Sequence, residues 1–154
     1  MYFTKFAAIS SSALLASLAL SGCATVKEAV GEAVAETRYA TLSGSQVVSS
    51  RGDPDGYAKA ELTVSDELNQ VCYDINDARG LAEITSVTIN RGAPGMTGPV
   101  VLRLREANEG GWKNCVKKSE WQEDSFENSP SAYFVQIATV EYPNGAIRGQ
   151  FSKN

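Results

Sequence analysis

The chain has 154 residues, enough for one core-bearing domain and short for two. Its 18 acidic against 14 basic residues leave a formal charge of −4, which excludes the basic footprint that nucleic acid or an anionic lipid face selects. There is no histidine, so the usual general base near neutral pH and the commonest nitrogen ligand for zinc or copper are both missing.

Residues 1–22 read as a leader. Lys5 supplies the positive end, and residues 6–20 are uncharged and apolar but shorter than the roughly 18–20 residues of a spanning helix. The run ends in Leu20-Ser21-Gly22-Cys23, which resembles the bacterial lipoprotein signal, where the cysteine is lipidated and becomes the new N-terminus. Ala24, not an aspartate, follows it, and the resemblance then implies sorting to the outer membrane, on its periplasmic or its surface side. The expected organisation is a signal peptide at 1–22, a lipidated N-terminus and tether at 23–38, and a β domain at 39–154. The membrane is a partner through the lipid on Cys23. Within the tether, Val26, Ala29, Val30, Ala33 and Val34 share a helical face, but Gly31 and the short length make that helix marginal.

Beyond Arg38, short alternating runs between turn residues replace the helical signal. Residues 39–48 break at Ser43-Gly44-Ser45 and read as one bulged edge strand or two short strands. In the turn at 49–56, Asp53 and Asp55 can cap local amides around Pro54. Its Arg51-Gly52-Asp53 tripeptide is too short to signify adhesion, and two acids do not complete a calcium cage. Ala58, Ala60, Leu62 and Val64 form one side of the next strand; Val71, Tyr73 and Ile75 form one side of the strand at 68–75, with Cys72 opposite. Residues 76–80 read as a turn.

Two strands then flank a glycine-punctuated loop. Thr85, Val87 and Ile89 line one side of the first, Val100, Leu102 and Leu104 one side of the second, with Arg103 and Arg105 opposite. Gly92, Gly95 and Gly98 free the loop backbone while Pro94 and Pro99 restrict it, which suits a shaped loop. Residues 106–128 are the least strand-like. Their tryptophans, Trp112 and Trp121, fit lids over an open end of the fold, or alternatively a binding surface. Residues 133–140 alternate again, Asn144-Gly145 signals a hairpin, and 146–151 return. The sum is an all-β fold, a Greek-key antiparallel sandwich or barrel of seven or eight strands.

With Cys23 assigned to lipid, Cys72 and Cys115 remain, and an oxidising compartment makes a disulfide between them the simplest account. It would pin the irregular connection onto the strand carrying Cys72. Closing the loop between them is worth roughly 4 kcal/mol on chain-entropy grounds. A redox pair is disfavoured, since the spacing is not C-x-x-C.

Several of these pieces together resemble the chordin-type (CHRD) domain family: Leu42-Ser43-Gly44, Gly52-Asp53-Pro54-Asp55-Gly56, Val71-Cys72-Tyr73-Asp74-Ile75, Arg91-Gly92-Ala93, Gly98-Pro99-Val100-Val101-Leu102, and the closing Gly145-Ala146-Ile147-Arg148-Gly149-Gln150. The resemblance spans about 40–152 and implies a relative of the copper/zinc superoxide dismutase fold. It also implies histidines at three positions, which here are Thr88, Asn90 and Ala138. Hydroxyl and amide are poor zinc or copper ligands and a methyl is none, so no metal and no cofactor are expected. Asn90 can instead brace the Arg91-Gly92 turn. Asp74, Asp77, Glu83, Glu141 and Arg148 are the best remaining polar set, with no spacing that pairs them. Arg148 is expected to reach a strand-end carbonyl or carboxylate. The reading is a non-catalytic envelope lipoprotein with a structural or protein-binding domain and an envelope protein partner. The competing reading is a small-ligand or metal-associated enzyme site at the glycine loop and the tryptophans.

Overall fold

The computed structural model describes residues 35–48, 50–121, 123 and 125–152. The leader, Cys23 and the tether up to residue 34 lie outside the described residues. Eight antiparallel strands form one sheet: β1 (Glu36–Ser43), β2 (Tyr57–Ser65), β3 (Gln70–Arg79), β4 (Ile84–Arg91), β5 (Val100–Arg103), β6 (Trp112–Lys117), β7 (Tyr133–Thr139) and β8 (Ile147–Gln150). Their order is β5-β4-β7-β8-β1-β2-β3-β6, with crossovers wherever neighbours are not consecutive. The only helical pieces among the described residues are three 3-10 turns.

Period-2 alternation builds the core. Ala58, Ala60, Leu62 and Val64 on β2 are buried together with Ala40 and Leu42 on β1, Val71 and Tyr73 on β3, and Val87 and Ile89 on β4. Leu102, Val116, Val135, Ile137 and Ile147 from the other strands join the same cluster. A flat sheet could not bring the inner residues of all eight strands into one cluster, so the sheet curls around them.

Tyr73 ties β3 to the chain just beyond β5. Its hydroxyl donates to the Arg105 carbonyl and accepts from the Arg105 amide, both at 2.9 Å. No ladder joins β5 to β6, the two ends of the sheet order. One phenol thus satisfies two backbone groups near the seam that a further strand would otherwise satisfy.

Four expectations change. The segment at 39–48 is a strand followed by a 3-10 turn, and β1 lies between β8 and β2 rather than at an edge. β1 also begins at Glu36, inside the stretch expected to be tether. Residues 76–79 continue β3 rather than turning. The left-handed Asp77 (φ 52°) accommodates an extra residue opposite Tyr57–Lys59, so turn-forming chemistry is used for a bulge. The connection after β5 contains a regular strand, β6, paired with β3 from Gln70–Lys117 to Ile75–Trp112.

Replacing Tyr73 by Phe keeps the core ring and strips the Arg105 backbone of both bonds, which should cost about 1–2 kcal/mol. Tyr57→Phe, whose hydroxyl makes no bond among the described residues, should stay within about 0.5 kcal/mol. Urea denaturation of the two variants beside the parent checks both values.

Candidate functional site

The outer face of β4, β7 and β8 is the polar counterpart of the core, and it is covered too. Register places Thr88 opposite Gln136, and Gln136 opposite Arg148; Asn90 faces Phe134, and Phe134 faces Gln150. Thr88, Asn90, Phe134, Ala138 and Arg148 are all buried. The cover includes the glycine loop between β4 and β5, and Gly98 shows how closely that loop folds on itself. A Cβ there would lie 1.6 Å from the Arg91 carbonyl oxygen, a contact no side chain survives. The Arg91 amide meets the Pro99 carbonyl at 3.0 Å. Ala93-Pro94-Gly95-Met96 turns with Pro94 second and Gly95 third at φ +75°, the residue pattern of a type II turn.

Three side chains bind this loop to the sheet through its carbonyls. Asn90 Nδ2 donates to Gly98 O (3.2 Å), Arg148 Nη2 to Ala93 O (3.3 Å), and Gln150 Nε2 to Gly92 O (2.7 Å). Asn90 thus braces the far end of the loop, not the Arg91-Gly92 end. Arg148 does reach a carbonyl. Its guanidinium carbon also lies 3.5 Å from the centroid of the Phe134 ring, and Gln150 Oε1 accepts from it at 3.2 Å. With 2% exposure and no carboxylate within ion-pair reach among the described residues, its burial pulls its pKa down from the ordinary arginine value.

The positions where histidines are implied sit on this face. Thr88 Oγ1 donates to Asn90 Oδ1 at 2.8 Å, in a buried bond. Asn90 spends its amide nitrogen on Gly98 O, and Ala138 offers no donor atom. Copper or zinc would need imidazole, thiolate or carboxylate ligands here, and Thr88, Asn90 and Ala138 offer none, so the residues present do not fit either ion. Among the described residues no group of three or more Cys, Asp or Glu converges elsewhere to hold a metal.

The remaining candidates are dispersed. Asp74 pairs with Lys113 (2.9 Å), and Asp77 with Arg79 (2.6 Å) and Lys59 (3.4 Å). Glu83 and Glu141 are exposed in the β3–β4 and β7–β8 connections. Asp53 is buried, and its carboxylate accepts the Asp55 amide at 3.0 Å, so the Arg51-Gly52-Asp53 tripeptide presents no free acid. Cys72 and Cys115 form a disulfide, but between two strands: they are register partners on β3 and β6, with Cα atoms 4.0 Å apart.

Trp121 is 3% exposed. It meets Phe126 edge-on at 5.2 Å and Tyr133 at 6.2 Å, in a cluster that Phe151 completes. Trp112 is half-buried on β6 and packs against the core. The polar end of the aromatic cluster was not visible in the sequence. The Tyr133 hydroxyl donates to Glu123 Oε2 (2.6 Å) and lies 2.5 Å from Ser125 Oγ. Burial, then the Glu123 carboxylate, pushes the Tyr133 phenol above the usual tyrosine value. A group held protonated in the fold stabilises it fully below the unfolded pKa, about 10, and loses that contribution as pH rises through the folded value. Stability should therefore fall above about pH 10, and the Tyr133 phenolate should appear late; Tyr133→Phe should remove one late-titrating phenolate from a 295 nm titration.

The comparisons with known proteins add one positive result. A family model described as the CHRD domain matches residues 38–151. No curated protein and no solved structure matches the chain. The match takes in all the strands described above except the first two residues of β1. The chain belongs to the CHRD domain family.

Proposed function

We propose that this protein is a non-catalytic envelope lipoprotein whose CHRD domain acts as a structural or protein-binding module, held to the outer membrane by lipid on Cys23. In this reading the sheet is a relative of the copper/zinc superoxide dismutase fold in which the metal face has become a fastening for a loop. The observation that carries it is the Thr88–Asn90 hydrogen bond. At two of the three positions where a metal site would place imidazoles, the side chains bond each other and a loop carbonyl, and at the third Ala138 has nothing to coordinate with. The absence of histidine from the chain also leaves serine, threonine and cysteine nucleophiles without their usual base. The lipid tether draws its support from the leader and from Cys23 behind Leu20-Ser21-Gly22. An envelope protein is the partner proposed for the module.

The test uses protein purified from membranes. It should carry neither copper nor zinc stoichiometrically, take up neither on titration, and show no dismutase activity above the buffer. The intact mass should include lipid on an N-terminal Cys23, and Cys23→Ser should release the domain from the membrane fraction. A one-to-one copper or zinc complex with dismutase activity would overturn the non-catalytic reading. An unlipidated mature N-terminus would overturn the tether.

A further inference from the structure

The disulfide lies on the outer face of the sheet, away from the core. Cys72 pairs with Thr63 on β2 and with Cys115 on β6, while the neighbouring residues Val71 and Val116 point inward. Cys115 is exposed and Cys72 half-buried. Both open onto a surface groove of about 520 Å³ whose walls include Glu61, Thr63, Asp74 and Lys113. Exposed disulfides are the more readily reduced ones, and this one lies on residues that line an open groove.

Its place in the ladder also differs from a loop staple. β6 ends the sheet order, and β3 is its one ladder neighbour. Apart from that ladder, what holds β6 among the described residues is Val116 in the core, Trp112 packed against it, the Lys113–Asp74 ion pair and the disulfide. Three of its six residues, Lys113, Cys115 and Lys117, are exposed. Lys113 sits two residues from Cys115 on the same outward face, with its ammonium paired to Asp74 beside the disulfide.

Although the spacing is not that of a catalytic C-x-x-C pair, we propose from its exposure at the sheet's end that the Cys72–Cys115 bond is a thiol–disulfide exchange site for a dithiol reductant of the oxidoreductase class, and that its state sets how firmly β6 stays on the sheet. The donor thiolate attacks Cys115 Sγ, on the more exposed of the two residues; the S–S bond breaks and Cys72 leaves as a thiolate. The donor's second thiol then attacks the mixed disulfide and releases Cys115 as a thiolate. Two electrons pass to the cysteine pair, the donor departs as its own disulfide, and the two thiolates take up protons. β6 is then held by one ladder, the apolar contact of Val116 and Trp112 and the exposed Lys113–Asp74 ion pair, so it opens more readily and bares the outer edge of β3, a free edge for a further strand.

The test keeps the mature chain folded throughout. A dithiol oxidoreductase in reduced form is added without denaturant, free thiols are alkylated, and the intact mass is read. Two alkyl groups are expected within minutes, on Cys72 and Cys115. A donor variant lacking its second cysteine should trap a mixed disulfide at Cys115 while Cys72 becomes alkylated. In the reduced protein, hydrogen exchange at β6 amides should quicken about tenfold, with β4, β7 and β8 unchanged. A bond that resists the donor until the fold is denatured would overturn the exchange site, and trapping at Cys72 would overturn the order of attack. Unchanged β6 exchange after complete reduction would overturn its control of the strand. The double variant C72S/C115S should reproduce the reduced exchange pattern without any donor, and an oxidised-like pattern in that variant would count against the same control.

Discussion

Asn90, Arg148 and Gln150 take the carbonyls of the glycine loop in place of water, and the layout of half the sheet follows from that exchange. A loop of this shape has no ladder to satisfy its backbone, so its polar groups must find partners or stay solvated. The sheet supplies the partners from its outer face. The loop in turn lies against that face, with Gly92 close to the Phe134 ring, so Phe134 is buried on the outer side of β7 as Val135 and Ile137 are on the inner. An arginine without a carboxylate is costly to bury. Here the Phe134 ring, one carbonyl and one amide oxygen offset part of that cost.

The same constraint explains the chemistry the site does not support. The polar atoms of Thr88 and Asn90 are committed to each other and to Gly98, so the face is closed by short neutral hydrogen bonds rather than opened for a ligand. The CHRD family match spans residues 38–151 and so takes in both the glycine loop and the face it lies on. In this chain the side chains that face the loop form a clamp. Among the described residues the opposite end of the sheet order has no such cover, and there the outward face carries ion pairs and the exposed disulfide.

Much of the fold was legible because one-faced strands announce themselves. Ala58, Ala60, Leu62 and Val64 alternate cleanly with Lys59, Glu61 and Thr63, and Val87 and Ile89 face the core as their spacing suggests. β6 was hidden because Lys113, Asn114 and Lys117 dilute its one fully buried residue, Val116, and because Gly110-Gly111 looks like an unstructured connection. The bulge at Asp77 was hidden because Asn-Asp-Ala-Arg-Gly carries the same residues a turn would use. The cysteine pairing was readable from the count and an expected oxidising compartment, whereas its cross-strand position needed the ladder. At the candidate site the missing imidazoles were legible at once. That Arg148 and Asn90 hold opposite stretches of one loop was not, because carbonyl partners leave no mark in sequence.

The claim that this face is a clamp can be read directly from the exchange of side-chain protons in solution. Nuclear magnetic resonance on isotope-labelled protein resolves the carboxamide protons of Asn90 and Gln150 and the guanidinium protons of Arg148. The account predicts that these exchange with water far more slowly than the same groups of Asn108 and Arg51, which are exposed. Equal, solvent-limited exchange at all five residues would contradict it, because the loop carbonyls would then have no fixed donors from the sheet.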